Sequence, residues 1–336
     1  MMAIPAGILA IPAAAFGQST SRVLDAKWEF RAASATDRAE LKEWHPAQVP
    51  GVVQTDLLHD NLIPDPFYRD NDTRLQWIGL TDWEYRTTFD ADAAMISHEH
   101  VDLVFEGLDT FADVYVNDQA VLHTDNMFRR WRLPAKGLLK AGPNTLRVVF
   151  HSPVELMIPK VKALPYQLPS VTSHNTGNEE NVATAPYTRK ADYQFGWDWG
   201  PRYVTEGIWQ PIRIETWDAF HVENFHIQQQ RVDKDAAALS AELEIQASRS
   251  TVATVEITYA ELSGAPVAPI RQAVQIDPGV NHVSVPIHIA NPKLWYPVGY
   301  GAQDRYRFSY TVRIARDNAA QGTLNTGCLL YTSRCV

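Results

Sequence analysis

Cysteine is almost missing from this chain. Cys328 and Cys335 are the only two, and both fall among the last nine residues. A disulfide framework is therefore excluded, and so is a cysteine-based zinc site. A basic surplus is missing too: 30 Lys and Arg face 39 Asp and Glu, for a net charge of −9. Without that surplus there is little to neutralise phosphates, which excludes a general nucleic-acid binder. Long apolar runs are also missing. The run near the N terminus is broken by Pro5 and Pro12 and is too short for a spanning helix, so no membrane partner is expected. No Gly-x-Ser-x-Gly elbow and no phosphate loop occur, and Gly299-Tyr-Gly301 lacks the third glycine of a dinucleotide fingerprint. His98-Glu99-His100 has no third ligand nearby, and Asp70-Asn71-Asp72 lacks the glycine and distal glutamate of a calcium loop. Both are read as polar turns, so no metal and no cofactor is expected.

What is present is a globular composition. Hydrophobic residues make up 45% and charged residues 21% of 336 residues, enough for two domains with their own cores. Residues 1–18 are small and apolar, and Ala15-Phe16-Gly17 has small residues at the −3 and −1 positions of a signal-peptidase site, although a positive n-region is lacking. They are read as a signal peptide, which predicts a periplasmic or secreted protein. Residues 327–336 form a tail unlike the rest.

Between these ends the pattern is β. Val101–Phe105 and Ala112–Val116 are rich in β-branched and aromatic residues, and Asn117-Asp118 supplies a hairpin turn into Ala120–Leu122. Asn144–Phe150 alternates, and Ile212 and Ile214 share one face of a strand with Arg213 and Glu215 on the other. One short helix is predicted over Val52–Leu62, with Leu57, Leu58 and Leu62 on its apolar side. Such strand spacing predicts a sandwich or barrel. Around residue 219 a second series begins: Val222–Ile227, Ala238–Gln246, Thr254–Tyr259, Val283–Ile287 and Tyr306–Ile314. Its spacing fits an immunoglobulin-like sandwich.

The richest stretch for chemistry is Tyr187 to Arg202, which contains Phe195-Gly-Trp-Asp-Trp-Gly200. Asp198 stands between Trp197 and Trp199, with Arg189, Lys190 and Arg202 to either side. Indole faces suit the C–H patches of a sugar, and a carboxylate accepts two hydrogen bonds from hydroxyls. Trp197, Asp198 and Arg189 are the candidate substrate contacts. An extended strand would put Phe195, Trp197 and Trp199 on one face, and Gly196, Asp198 and Gly200 on the other. Arg189 could orient the carboxylate and keep it ionised. The competing reading makes the tryptophans sheet core and pairs Asp198 with Arg189 or Arg202.

Several segments resemble, in order, the N-terminal half of β-mannosidases of glycoside hydrolase family 2. They are Val49-Pro-Gly-Val-Val-Gln-Thr-Asp-Leu57, Leu62-Ile-Pro-Asp-Pro-Phe-Tyr68, Leu75-Gln-Trp-Ile78, Asp82-Trp-Glu-Tyr-Arg86, Phe105-Glu-Gly-Leu-Asp109 through Asn117, the Trp-Asp-Trp-Gly run, Gly207-Ile-Trp209, and Leu294-Trp-Tyr-Pro-Val-Gly-Tyr-Gly301. The resemblance implies an all-β chain: a jelly-roll sugar-binding domain over 19–218, then an immunoglobulin-like sandwich over 219–326. It implies a following (β/α)₈ barrel that supplies two catalytic glutamates. This chain ends before such a barrel and is expected to lack the closing strand of the second sandwich, Asn318–Thr326 being Gly- and Ala-rich. No catalytic residue is assigned; Asn178-Glu179 mimics the family's acid/base dipeptide but lies in the wrong domain. The implied function is retaining exo-hydrolysis of terminal β-mannose from mannose-containing oligosaccharides, with this piece inactive alone and packed on the barrel. The alternatives are a non-catalytic carbohydrate-binding or adhesion module, and a β-galactosidase or β-glucuronidase relative.

Overall fold

The computed structural model describes residues 19–34, 37–170, 181–262 and 264–314, and the backbone of 319–328. Residues 1–18, Asn178-Glu179 and the last eight residues of the tail lie outside the described residues. The chain divides into two compact units, Ser21–Thr216 and the part from Trp217 onward.

Among the described residues the first unit has ten strands: β1 Thr20–Val23, β2 Trp28–Ala32, β3 His45–Ala47, β4 Trp83–Ala91, β5 His100–Phe105, β6 Phe111–Val116, β7 Gln119–Asp125, β8 Trp131–Pro134, β9 Gly142–His151 and β10 Ile212–Trp217. They form a six-stranded sheet, β3-β2-β4-β9-β6-β7, and a four-stranded sheet, β1-β10-β5-β8. This is the jelly-roll sandwich. Alternation sets its interior: Trp83, Tyr85 and Phe89 of β4, with Leu146, Val148 and Phe150 of β9, are buried with Phe30 and Phe105 in one core. The β6–β7 hairpin turns on Asn117 and Asp118, both at positive φ, the geometry that matches strand twist in a two-residue turn.

Two local readings need correction. In the helix Val53–His59, Leu57 is buried but Leu58 is 42% exposed, so the apolar side is narrower than its leucines suggest. The longest helix among the described residues, Pro153–Lys162, has no counterpart among the predicted elements. Ser152 caps it by accepting from the Glu155 N–H at 3.1 Å, and Val154, Met157, Ile158 and Val161 form its buried face.

Beside that cap, His151 lies between two carboxylates, 3.3 Å from Asp82 and 2.9 Å from Asp113. The Asp82 hydrogen bond, and after it the one to Asp113, push its pKa up to about 9 against the opposing effect of burial. A folded state that holds the proton more tightly than the unfolded chain is stabilised fully below the ordinary histidine value near 6.5. That stabilisation is lost as pH rises through about 9. The carboxylates are about a third exposed, so solvent screening reduces the effect to about 1 kcal/mol. Urea unfolding at rising pH should show this loss, and His151→Gln should remove it; an unaltered pH profile in the variant would refute the assignment.

Among the described residues the second unit has seven strands: β11 Phe220–Val232, β12 Ala236–Ala247, β13 Thr251–Glu261, β14 Ile270–Ile276, β15 Gly279–Ala290, β16 Tyr306–Ile314 and β17 Ala319–Cys328. They make the sheets β11-β12-β15 and β14-β13-β16-β17, an immunoglobulin-like sandwich whose core includes Leu239, Leu243, Val255, Ile257, Val285 and Phe308. The closing strand expected to be lacking is present. β17 pairs antiparallel with β16, from Tyr306 opposite Cys328 to Arg313 opposite Ala319. A ladder needs only backbone N–H and C=O groups, which Gly and Ala supply as well as any residue, and an edge position asks little of side chains.

Candidate functional site

The Trp-Asp-Trp segment is a turn, not the strand expected from its alternation. A 3₁₀ turn over Asp192–Phe195 ends at Gly196, whose φ of +106° is the left-handed region that glycine enters without steric cost. Trp197 and Gly200 then close a tight loop, each N–H donating to the other's carbonyl at 3.3 and 3.2 Å. Asp198 and Trp199 occupy its tip.

This geometry decides between the two sequence readings. Phe195 is buried, but Trp197 is 44% and Trp199 85% exposed. Their rings meet edge to face with centroids 6.1 Å apart, so neither is sheet core. Asp198 is exposed and has no ion-pair partner among the described residues. Arg189 is exposed as well and does not pair with it, so the orienting ion pair expected between them is not formed. Arg202 turns the other way. It is buried, donates from Nη1 to Gln76 Oε1 at 2.7 Å, and burial pulls its pKa down to about 10. Gln76 returns the contact by donating to the Arg202 carbonyl at 2.8 Å.

Beside the tip lies a cavity of about 810 Å³ walled by Phe67, Tyr193, Trp197, Trp199 and Tyr203, with Asp192 at its edge. Phe67 packs edge-on against Tyr203, centroids 5.6 Å apart, and the Tyr203 hydroxyl donates to the Pro66 carbonyl at 2.6 Å. An open bowl of aromatic faces, with the exposed carboxylate of Asp192 in its wall and that of Asp198 on the adjoining turn, suits a polyhydroxylated ring, apolar on its faces and polar at its rim.

The loop that carries the turn is pinned at its base. Lys190 Nζ donates to both carboxylate oxygens of Asp109 at 2.5 Å, to the Thr205 carbonyl at 2.7 Å and to Thr205 Oγ1 at 3.0 Å. Thr205 Oγ1 in turn donates to Asp109 Oδ2 at 2.7 Å, and the Thr110 hydroxyl donates to Asp109 Oδ1. The Lys190 and Asp109 side chains are fully buried. Burial lowers the Lys190 pKa while Asp109 opposes it. Glu206, also buried, has no partner for either carboxyl oxygen among the described residues, and burial pushes its pKa well up. The Lys190 ammonium opposes that rise, and the Asp82 and Asp109 charges add to it. Next to it, Gly207 at φ +150° exchanges backbone hydrogen bonds with Asp109; a Cβ there would meet the Gly51 carbonyl at 2.7 Å. One buried ammonium thus ties the start of the loop, its end and the Asp109 segment together.

Residues 28–210 match the family model described as glycosyl hydrolase 2 galactose-binding domain-like, and residues 220–324 match that of glycosyl hydrolases family 2. The chain belongs to glycosyl hydrolase family 2. Within that family it is 34% identical to a β-mannosidase B of Thermothelomyces thermophilus over 294 residues, which cover 88% of this chain and 32% of that protein. It is 32% identical to a β-mannosidase of Bos taurus over 270 residues, 79% of this chain and 30% of that one. The crystal structure of a β-D-mannosidase from Dictyoglomus thermophilum superposes with a TM-score of 0.77 at 33% identity, covering 88% of this chain and 34% of that chain. An exo-chitosanase of Amycolatopsis orientalis shares the fold alone, with a TM-score of 0.64 at 18% identity. The chain spans about a third of the length of the curated relatives it matches.

Of the three residues singled out in the sequence, Trp197 lines the cavity, Asp198 tops the turn beside it, and Arg189 stands exposed at the loop base. Sequence reading did not single out Phe67, Tyr193 and Tyr203 as cavity walls, or the Lys190–Asp109 pair. Only the aromatic density of the two segments hinted at the walls.

Proposed function

We propose that this chain supplies the two N-terminal β-sandwich domains of a retaining exo-β-mannosidase, which removes terminal non-reducing β-D-mannose from oligosaccharides. The observation that carries this is the exposed, unpaired Asp198 carboxylate, held on a pinned turn between two exposed indoles. A carboxylate accepts two hydrogen bonds at once, so Asp198 receives vicinal hydroxyls of the terminal sugar, while the indoles cover its C–H face. Trp197 shapes the pocket of that ring, and the exposed Arg189 guanidinium completes the contacts. A turn standing across the end of a sugar pocket admits a chain end and not a chain interior, which makes cleavage exo-acting.

Retaining hydrolysis needs two carboxyl groups about 5–5.5 Å apart across the bond that breaks. In the proposed enzyme both are glutamates of a (β/α)₈ barrel, and Asp198 selects substrate for them. The signal-like residues 1–18 favour a periplasmic or secreted enzyme. The chain alone should not hydrolyse p-nitrophenyl β-mannoside, and measurable turnover would overturn that division of labour. With the downstream coding region joined to it, β-mannoside should turn over faster than the corresponding β-galactoside and β-glucuronide. The reverse order would sink the substrate assignment.

A further inference from the structure

The outer face of the six-stranded sheet is far from plain. It carries a groove of about 1160 Å³ over β2, β4 and β9. The register places Glu29, Arg86, Arg147 and Tyr115 in one row across four strands, and Arg31 opposite Glu84 in the next. Glu84 is buried and accepts from Arg31 Nε at 2.8 Å and Arg147 Nη1 at 2.9 Å. Glu29 accepts from Arg86 Nε at 2.8 Å. Trp44 has the Arg31 guanidinium 4.3 Å and the Arg86 guanidinium 3.8 Å from its ring centre, and Tyr115 holds Arg147 at 3.8 Å.

Each arginine is thus fixed twice, by a carboxylate and by an aromatic face, yet donates from only one of its nitrogens to the described residues. A guanidinium has five N–H donors in a rigid fork, so most donors stay free at the groove. Fixing them in advance removes the side-chain entropy cost that a ligand would otherwise have to overcome. Glu29 likewise leaves Oε1 free, and Thr88 and Thr145 add exposed hydroxyls that both donate and accept. The charges nearly balance: Lys27, Arg31, Arg86 and Arg147 against Glu29, Glu84 and Asp118. An anion would have to compete with Glu84 and Glu29 for guanidiniums already neutralised. A ligand rich in hydroxyls and without charge uses the free donors and acceptors as they stand. Successive strands lie about 4.8 Å apart, close to the length of one pyranose unit, so a chain running across β2, β4 and β9 meets a polar group on each.

We propose that this face is a second carbohydrate site, which binds a neutral oligosaccharide through the free N–H groups of Arg31, Arg86 and Arg147 beside Trp44. It does not depend on Asp198 or on the hydrolytic reading. The test is titration calorimetry of the full 336-residue chain with β-1,4-linked mannohexaose. Arg86→Ala should weaken binding at least about tenfold, as expected for lost charge-assisted hydrogen bonds. Thr145→Glu changes an exposed position outside the Glu84 cluster and should do the same, because its carboxylate takes up the free guanidinium donors. A rise in NaCl from about 50 to about 500 mM should leave affinity within about twofold, because the ligand carries no charge. Absence of binding would overturn the proposal. So would binding lost in Trp199→Ala but kept in both groove variants, or tighter binding of heparin with steep salt dependence.

Discussion

Lys190→Met should lower the stability of the first unit by about 3–5 kcal/mol, the range seen when one partner of a buried pair is removed. Methionine fills much of the same volume but donates nothing. Asp109 keeps the Thr110 and Thr205 hydroxyls as donors, yet its charge is left without a counter-charge in a fully buried place. Domains of this kind have about 5–15 kcal/mol in all, so the loss is a large fraction of the total. Urea unfolding followed by tryptophan fluorescence should show the midpoint falling by about 2 M, given slopes of about 1–3 kcal/mol per M. Adding Asp109→Asn to the variant should recover part of the loss, since the stranded charge is then gone. An unchanged midpoint in Lys190→Met would mean that the ammonium is not what holds the loop base.

Asp198→Ala should behave in the opposite way: nearly silent for folding and severe for activity. The carboxylate is exposed and unpaired, so stability should stay within about 0.5 kcal/mol of wild type. In the enzyme with its downstream region, two lost hydrogen bonds to a charged acceptor cost about 3–4 kcal/mol, or about 10²–10³ in kcat/KM. Asp198→Asn keeps one acceptor and should fall less. If the contacts tighten as the sugar distorts, kcat falls with kcat/KM; if they only bind, KM rises alone. Wild-type kinetics in Asp198→Ala would return the residue to a structural role.

How far the sequence could be read depended on how local each signal was. Asn117-Asp118 between alternating runs is a complete hairpin instruction within a dozen residues, and the hairpin is there. The alternation of Ile212 and Ile214 with Arg213 and Glu215 likewise fixes which face of β10 is buried. The same alternation misled at Phe195–Gly200, where Gly196 turns the chain at positive φ and Gly200 closes the loop back on Trp197. The helix at Pro153–Lys162 carried a cap and a face of four buried residues, but Pro159 in its last turn obscures the pattern. β17 was hidden because pairing is a property of the backbone and not of its small side chains. The Lys190–Asp109 contact spans 81 positions of sequence, and no local pattern encodes a partner at that distance.

That contact also bears on how such a protein could change its substrate. Lys190 and Thr205 are joined at one point, so residues 191–204 form a closed ring on the jelly roll. The ring has its own anchor, since Phe195 and Val204 pack with Val154, Ile158 and Val161 in a cluster separate from the main core. With its base fixed and its flanks packed on the helix Pro153–Lys162, such a segment can have its tip recoded from Trp-Asp-Trp to other residues while the sandwich beneath keeps its register. Sugar preference can then diversify at a handful of positions with little cost to folding.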